Sequence, residues 1–127
     1  MQNFFYIREN GKYIRIDFRK IIYIEGCRNY LKIVMEQGSH LVLITMKRLE
    51  QLLPTSSFIR IHKSYIVSLE KITAFDSNSV YVNEKQLPTG KAYKGIIEHS
   101  VVVVQSAMTE QAVTIPFNIS SRIAVVN

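Results

Sequence analysis

The stretch Phe58-Ile59-Arg60-Ile61-His62-Lys63-Ser64-Tyr65-Ile66-Val67 decides how this chain folds. Phe58 to Ile61 and Ile66-Val67 carry the β-branched and aromatic residues that suit a pleated, half-buried surface, and the basic, polar run His62-Lys63-Ser64 stands between them. Immediately upstream the period changes. Met46, Leu49 and Leu52/Leu53 recur at three- and four-residue spacing, Thr45 is placed to act as N-cap, and Pro54 ends the run, which predicts a short helix over about 45–53. Lys47, Arg48, Glu50 and Gln51 on its other side read as a solvated face. Downstream, Ile72 to Phe75 and Val80-Tyr81-Val82 alternate with the turn chemistry of Asp76-Ser77-Asn78-Ser79 and Asn83-Glu84, as in a β-meander. Gln86-Leu87-Pro88-Thr89-Gly90 then leads into Lys91 to Ile97, read as a short helical closing segment.

Toward the N-terminus the same β pattern continues. Phe4 to Arg8 and Lys12 to Phe18 flank Asn10-Gly11, a strong hairpin signal because both residues accept positive φ. Ile14, Ile16 and Phe18 alternate with Tyr13, Arg15 and Asp17, giving one apolar and one wet face. Ile21 to Glu25 and Leu31 to Met35 are further strands, with Gly26-Cys27-Arg28-Asn29 read as the turn between them and Tyr30 as a packing residue at the head of the returning strand. Leu41 to Ile44 is a continuous apolar strand expected to pair with the preceding one.

A chain of 127 residues, 47% hydrophobic and 20% charged, has room for one ordinary core without metal or disulfide support. Cys27 is the single cysteine, which excludes an internal disulfide framework and suits a reducing compartment. No apolar stretch reaches the roughly 18 residues a membrane span requires, and the N-terminus lacks the pattern of a secretion signal, so the expectation is a soluble, cytoplasmic protein. The net charge is +6, and residues 1–99 hold 15 of the 16 Lys/Arg and nine of the 10 Asp/Glu, so the excess lies there. Such a balance is consistent with a polyanionic partner. Residues 100–127 form an apolar, β-prone tail with four consecutive valines and Ile115-Pro116-Phe117, expected to add a strand or an oligomer contact.

Catalytic chemistry is missing. His40, His62 and His99 stand apart with no metal-ligand spacing, the five glycines form no phosphate loop, and Cys27 reads as a small filler rather than a nucleophile beside His62. The chain is therefore expected to be no enzyme and to need no cofactor or metal.

Three segments carry a resemblance: Ile21 to Ile33 around Glu25 and Asn29-Tyr30; Leu49-Glu50-Gln51-Leu52-Leu53-Pro54 followed by Phe58 to Val67; and Leu87-Pro88-Thr89-Gly90-Lys91-Ala92-Tyr93-Lys94. In order and spacing they resemble the LytTR family, the DNA-binding output domain of LytR- and AlgR-type response regulators in bacterial two-component systems. The resemblance spans roughly residues 4–98 and implies a mainly β fold, an elongated stack of small antiparallel sheets with one short helix. It implies binding to double-stranded promoter DNA through three loops in successive major grooves, with 1–99 as the DNA-binding domain. Nothing in the residues suggests a helix-turn-helix, so loops are expected to do the reading.

By that resemblance the contacting residues are Arg28 and Asn29 in the first loop, His62, Lys63 and Ser64 in the second, and Thr89 and Lys91, with Lys94, in the third. Asn29 either meets an adenine edge or caps its own turn, and Arg28 meets a guanine edge or a phosphate. Lys63 is the leading candidate for a base contact, with Ser64 on a phosphate and Arg60 supporting the loop or a phosphate. His62 matches a family histidine, and its place between strand and loop favours a structural hydrogen bond over direct contact. Where the family often has Ser-Arg this chain has Gly90-Lys91, which keeps the charge and loses the planar bidentate fork; Thr89 and Lys94 fit phosphate contacts. Either a homodimer on direct repeats or a partner is expected to supply the rest of the affinity. The runner-up is a protein-interaction or oligomerisation module with weak or lost DNA binding. Single-stranded nucleic-acid binding would need Tyr13, Tyr23 and Tyr81 exposed on a sheet face.

Overall fold

A computed structural model describes residues 2–106 and 123–126. Contacts divide the chain into two compact units, Met1–Tyr93 and Lys94–Asn127. The first unit opens with the hairpin β1 (Phe4–Glu9) and β2 (Lys12–Asp17). Asn10 and Gly11 sit at φ 52° and 75° and place Glu9 opposite Lys12, so the two-residue turn is of the type that matches strand twist. One face of this hairpin supplies the buried Ile7 and Ile16.

Five strands form the main sheet: β3 (Ile21–Cys27), β4 (Tyr30–Met35), β5 (Ser39–Val42), β6 (Phe58–His62) and β7 (Tyr65–Ser68), in the order β5-β4-β3-β7-β6. All neighbouring pairs are antiparallel. Ile21, Ile22, Tyr23 and Ile24 are consecutive and all buried; because successive side chains alternate between faces, the central strand β3 is covered on both. Helix α1 (Met46–Leu52) begins at Thr45, whose hydroxyl accepts from the Arg48 N–H at 3.1 Å. Met46, Leu49 and Leu53 join Ile7, Ile16, Ile24, Ile33, Phe58 and Ile66 in one apolar core. Each such side chain contributes about 1.5–3 kcal/mol on leaving water.

A third sheet of the first unit has the order β10-β9-β8, with β8 (Ile72–Phe75), β9 (Ser79–Val82) and β10 (Lys85–Pro88). Val80, Val82 and Leu87 are fully buried. In the second unit β11 (Val103–Ser106) and β12 (Ile123–Val126) pair with each other in parallel. The Ile115-Pro116-Phe117 segment lies outside the described residues. Among the described residues no helix is long and apolar enough to cross a membrane.

The architecture of the described residues is therefore mainly β, with small sheets that are antiparallel throughout the first unit and one short α-helix, as expected; several local readings need correction. Gly26 and Cys27 are not turn residues, because β3 runs through both and Cys27 pairs with Tyr30, which leaves Arg28-Asn29 alone as the turn. Tyr30 is 48% exposed rather than packed, since it starts a strand at its solvent end. Lys85–Pro88 is a strand although only Leu87 is buried in it, so its edge position hid the period-two signal. The helical closing segment begins as a single short turn, Lys91–Tyr93. The three tyrosines that could have served single strands lie on three different sheets, and Tyr23 is 8% exposed against 68% for Tyr13, so they form no stacking platform.

Candidate nucleic-acid interface

Two antiparallel hairpins end side by side. The β3–β4 turn is Arg28-Asn29, with Arg28 at φ 57°, a conformation that L side chains rarely adopt. Both side chains are exposed. The β6–β7 turn is Lys63-Ser64, with His62 opposite Tyr65. Because β3 and β7 are neighbours, the Gly26 N–H reaches the Ser64 carbonyl at 2.8 Å. A Cβ built on Gly26 would meet Ser64 Cα at 3.7 Å, an ordinary packing distance, so β3 and the second turn lie in contact here.

The second turn is braced from several directions. Arg60 Nε donates to the His62 carbonyl at 3.2 Å, Nη2 donates to the Lys63 carbonyl at 2.6 Å, and Nη1 pairs with Glu50 Oε1 at 3.1 Å. One planar guanidinium thus holds two turn carbonyls and ties them to α1. His62 Nδ1 accepts the Ser64 N–H at 3.0 Å, which fixes that nitrogen as the acceptor and leaves the other for the ring proton. The His62 ring meets Tyr65 at a centroid distance of 5.6 Å. Tyr65 donates its hydroxyl to Glu25 Oε2 at 3.2 Å. Burial, and then the Glu25 charge and hydrogen bond, raise the Tyr65 phenol above its usual range, so it stays a donor. Lys63 remains exposed on top of this scaffold.

The third segment docks on the same strand end. The Gly90 N–H donates to the Ile61 carbonyl at 2.8 Å and the Thr89 N–H to the Asn78 carbonyl at 2.9 Å. A Cβ on Gly90 would stand 3.2 Å from Tyr93 Cδ2 and 3.5 Å from His62 Cδ2, so the segment lies directly against the base of the second turn. Lys91 is exposed. The Thr89 hydroxyl oxygen is buried and has no hydrogen-bond partner among the described residues, so in this conformation it does not face solvent. Lys94 is exposed and opens the second unit.

The fold therefore brings Arg28, Asn29, His62, Lys63, Ser64, Thr89 and Lys91 into one row, with Ser64 bonded to β3 just below the first turn and the third segment bonded to β6 just below the second. His62 holds the turn's backbone, as its position between strand and loop suggested, and Arg60 supports the loop. Glu50 and Tyr65 are supporting residues that the sequence reading missed; Glu50 had been assigned to a solvated helix face, and its pairing with a residue ten positions away leaves no local signal. Among the described residues no three His, Cys, Asp or Glu side chains gather as metal ligands would.

No curated protein is similar enough to the chain to count as a match. A solved structure, the LytTr DNA-binding domain of a methyl-accepting/DNA response regulator from Bacillus cereus, superposes with a TM-score of 0.64 at 23% identity, covering 73% of this chain and 91% of that one. At that identity the likeness is one of fold. Residues 11–97 match the family described as the LytTr DNA-binding domain. With most of its length inside that match, the protein belongs to the LytTR family, whose members are DNA-binding domains of transcription regulators and not enzymes.

Proposed function

We propose that this chain reads duplex DNA sequence by setting the tips Arg28-Asn29, Lys63-Ser64 and Thr89-Gly90-Lys91 in the major groove, and regulates transcription from promoter repeats in the cytoplasm. The observation that carries this reading is the pair of backbone hydrogen bonds, Gly26 to Ser64 and Gly90 to Ile61, both 2.8 Å, that assemble three distant loops into one row. The major groove, about 12 Å wide, admits such narrow tips and displays a distinct donor and acceptor pattern for each base pair. Lys63 and Lys91 supply donors for guanine acceptors, Asn29 suits an adenine edge, and Ser64, Arg28 and Lys94 serve phosphates. The buried Thr89 hydroxyl reaches a phosphate only if its loop shifts. A homodimer on direct repeats doubles the contact surface.

The test is binding to duplexes of varied sequence at several salt concentrations, with alanine variants at Asn29, Lys63, Lys91 and Lys94. Lys63→Ala is expected to weaken specific binding by about 1–3 kcal/mol and relax preference at one base step. Lys91→Ala and Asn29→Ala also change the ranking of sequences. Lys94→Ala lowers the salt slope by roughly one unit with the ranking kept. A parent chain that binds no duplex more tightly than random DNA, or four variants that all bind as the parent does, would overturn the reading.

A further inference from the structure

Between β5 and α1 the Ile44 N–H closes back on the Val42 carbonyl at 3.1 Å, a three-residue turn with Leu43 at its apex. Leu43 is 74% exposed, the highest value among the exposed large apolar side chains of the described residues. It does not stand on an open flank of the molecule. It lines one concavity together with Arg28, Asn29, Lys63, Ser64 and Met46, the tips of two of the three loops and the start of the helix. The floor is firm, since Leu31 and Met46 are buried there. Among the described residues no acidic side chain lines the concavity.

From this arrangement, and resting on the loop-reading function above, we propose that Leu43 is a specificity-determining residue that contacts the C5-methyl group of a thymine in the DNA major groove. The charge of the rim selects a polyanion over an acidic-patch-free protein surface, because Arg28 and Lys63 would remain unpaired against the latter. Leucine has no donor for a phosphate, so it adds nothing to sequence-independent binding. What an apolar side chain can recognise in the major groove is the thymine methyl, the apolar group displayed there. The two basic tips would hold the duplex while Leu43 discriminates thymine from cytosine at the step between them.

The experiment selects a preferred duplex with the parent chain and then replaces its thymines one at a time with deoxyuridine, which removes the methyl group alone. The parent is expected to lose about fourfold in affinity at one thymine, the value of one buried methyl group. Leu43→Ser is expected to bind the thymine duplex about fourfold more weakly and to be indifferent to the same deoxyuridine replacement, whereas Leu43→Met keeps the discrimination. Thermal melting of both variants checks that each is folded. The proposal is overturned if no replacement affects the parent, if Leu43→Ser retains the parent's full thymine discrimination, or if it weakens specific and random duplexes equally. In each of those cases loss of sequence preference in Lys63→Ala still supports loop reading. A parent that selects no duplex overturns both.

Discussion

Of the two turns that flank the Gly26–Ser64 hydrogen bond, Lys63-Ser64 is braced by Arg60 and His62, with Gly90 docked on the strand beneath it, whereas Arg28-Asn29 has no side-chain partner among the described residues. The first holds its carbonyls on a guanidinium anchored to Glu50; the second carries a non-glycine residue at φ 57° and leaves both side chains in water. The difference divides the labour of recognition. A pre-organised tip loses little conformational freedom on binding and can fix register on the duplex. An unsupported tip can adjust to the groove and pays ordering entropy when it does. The middle turn should therefore govern affinity at every site, and the outer one adaptation to a particular site.

Removing the brace should produce the largest effect. Arg60→Ala takes away both turn carbonyl bonds and the Glu50 ion pair at once, and hydrogen bonds from a charged group are worth about 1.5–3 kcal/mol each when partly shielded. DNA affinity is expected to fall tenfold to a hundredfold, on the order of 1.4–2.8 kcal/mol, on all specific duplexes alike, with no contact from Arg60 to DNA required. Arg60→Lys should recover only a fraction, because an ammonium cannot span both carbonyls and Glu50. If the alanine variant binds and melts as the parent does, the brace is irrelevant and the contrast between the turns dissolves.

A smaller effect, with opposite signs in two measurements, is expected at the unsupported turn. Arg28→Ala and Arg28→Gly both remove a cation and should weaken binding with a reduced salt slope. Glycine accepts φ near 57° without the Cβ penalty, so Arg28→Gly should be more stable than Arg28→Ala by about 1 kcal/mol in urea or thermal melting. Its looser tip should nonetheless bind no better. Equal stability of the two variants would show that the left-handed residue is unstrained and the turn less adaptable than described.

The same contrast explains what the sequence disclosed. Asn10-Gly11 was legible because the signal is local: both residues reach positive φ, and the strands alternate on either side. Thr45 and the Met46, Leu49, Leu53 spacing were legible for the same reason. The three contact loops were located through resemblance of motifs, and the basic residues in them do end at exposed tips, apart from the buried Thr89 hydroxyl. Tertiary relations were not legible. Gly26 looked like a reversal because glycine usually is one, while here it lies inside a strand beside Ser64. Leu41 to Ile44 looked like one continuous apolar strand, yet β5 is Ser39–Val42, and Leu41 is 57% exposed because β5 is the sheet edge, a fact only the strand order reveals. Glu50 and Arg60 are each ordinary surface residues until the fold puts them together.

The smallest expected effect serves as the control for locality. Glu36 follows the end of β4 opposite the Arg28-Asn29 turn, where its N–H donates to the Lys20 carbonyl at 3.0 Å and its carboxylate pairs with Lys71. The hydrogen bond to Lys71, then the Lys71 charge, hold the Glu36 carboxyl below its ordinary 4.5. A carboxyl that binds its proton more weakly in the folded chain stabilises the fold fully above 4.5, and that contribution is lost as pH falls from there through the lowered folded value. Glu36→Gln should therefore melt slightly below the parent at neutral pH, and the gap should close on acidification, when Glu36 is protonated in both folded and unfolded chains. The gap is small because the carboxylate is half exposed and screened by salt. At neutral pH its DNA affinity and sequence ranking should equal the parent's, since the substitution lies a strand's length from either turn. A Glu36→Gln variant that lost affinity as Arg60→Ala does would show that bracing is a property of the whole sheet, and the division between a rigid and an adaptable turn would have to be abandoned.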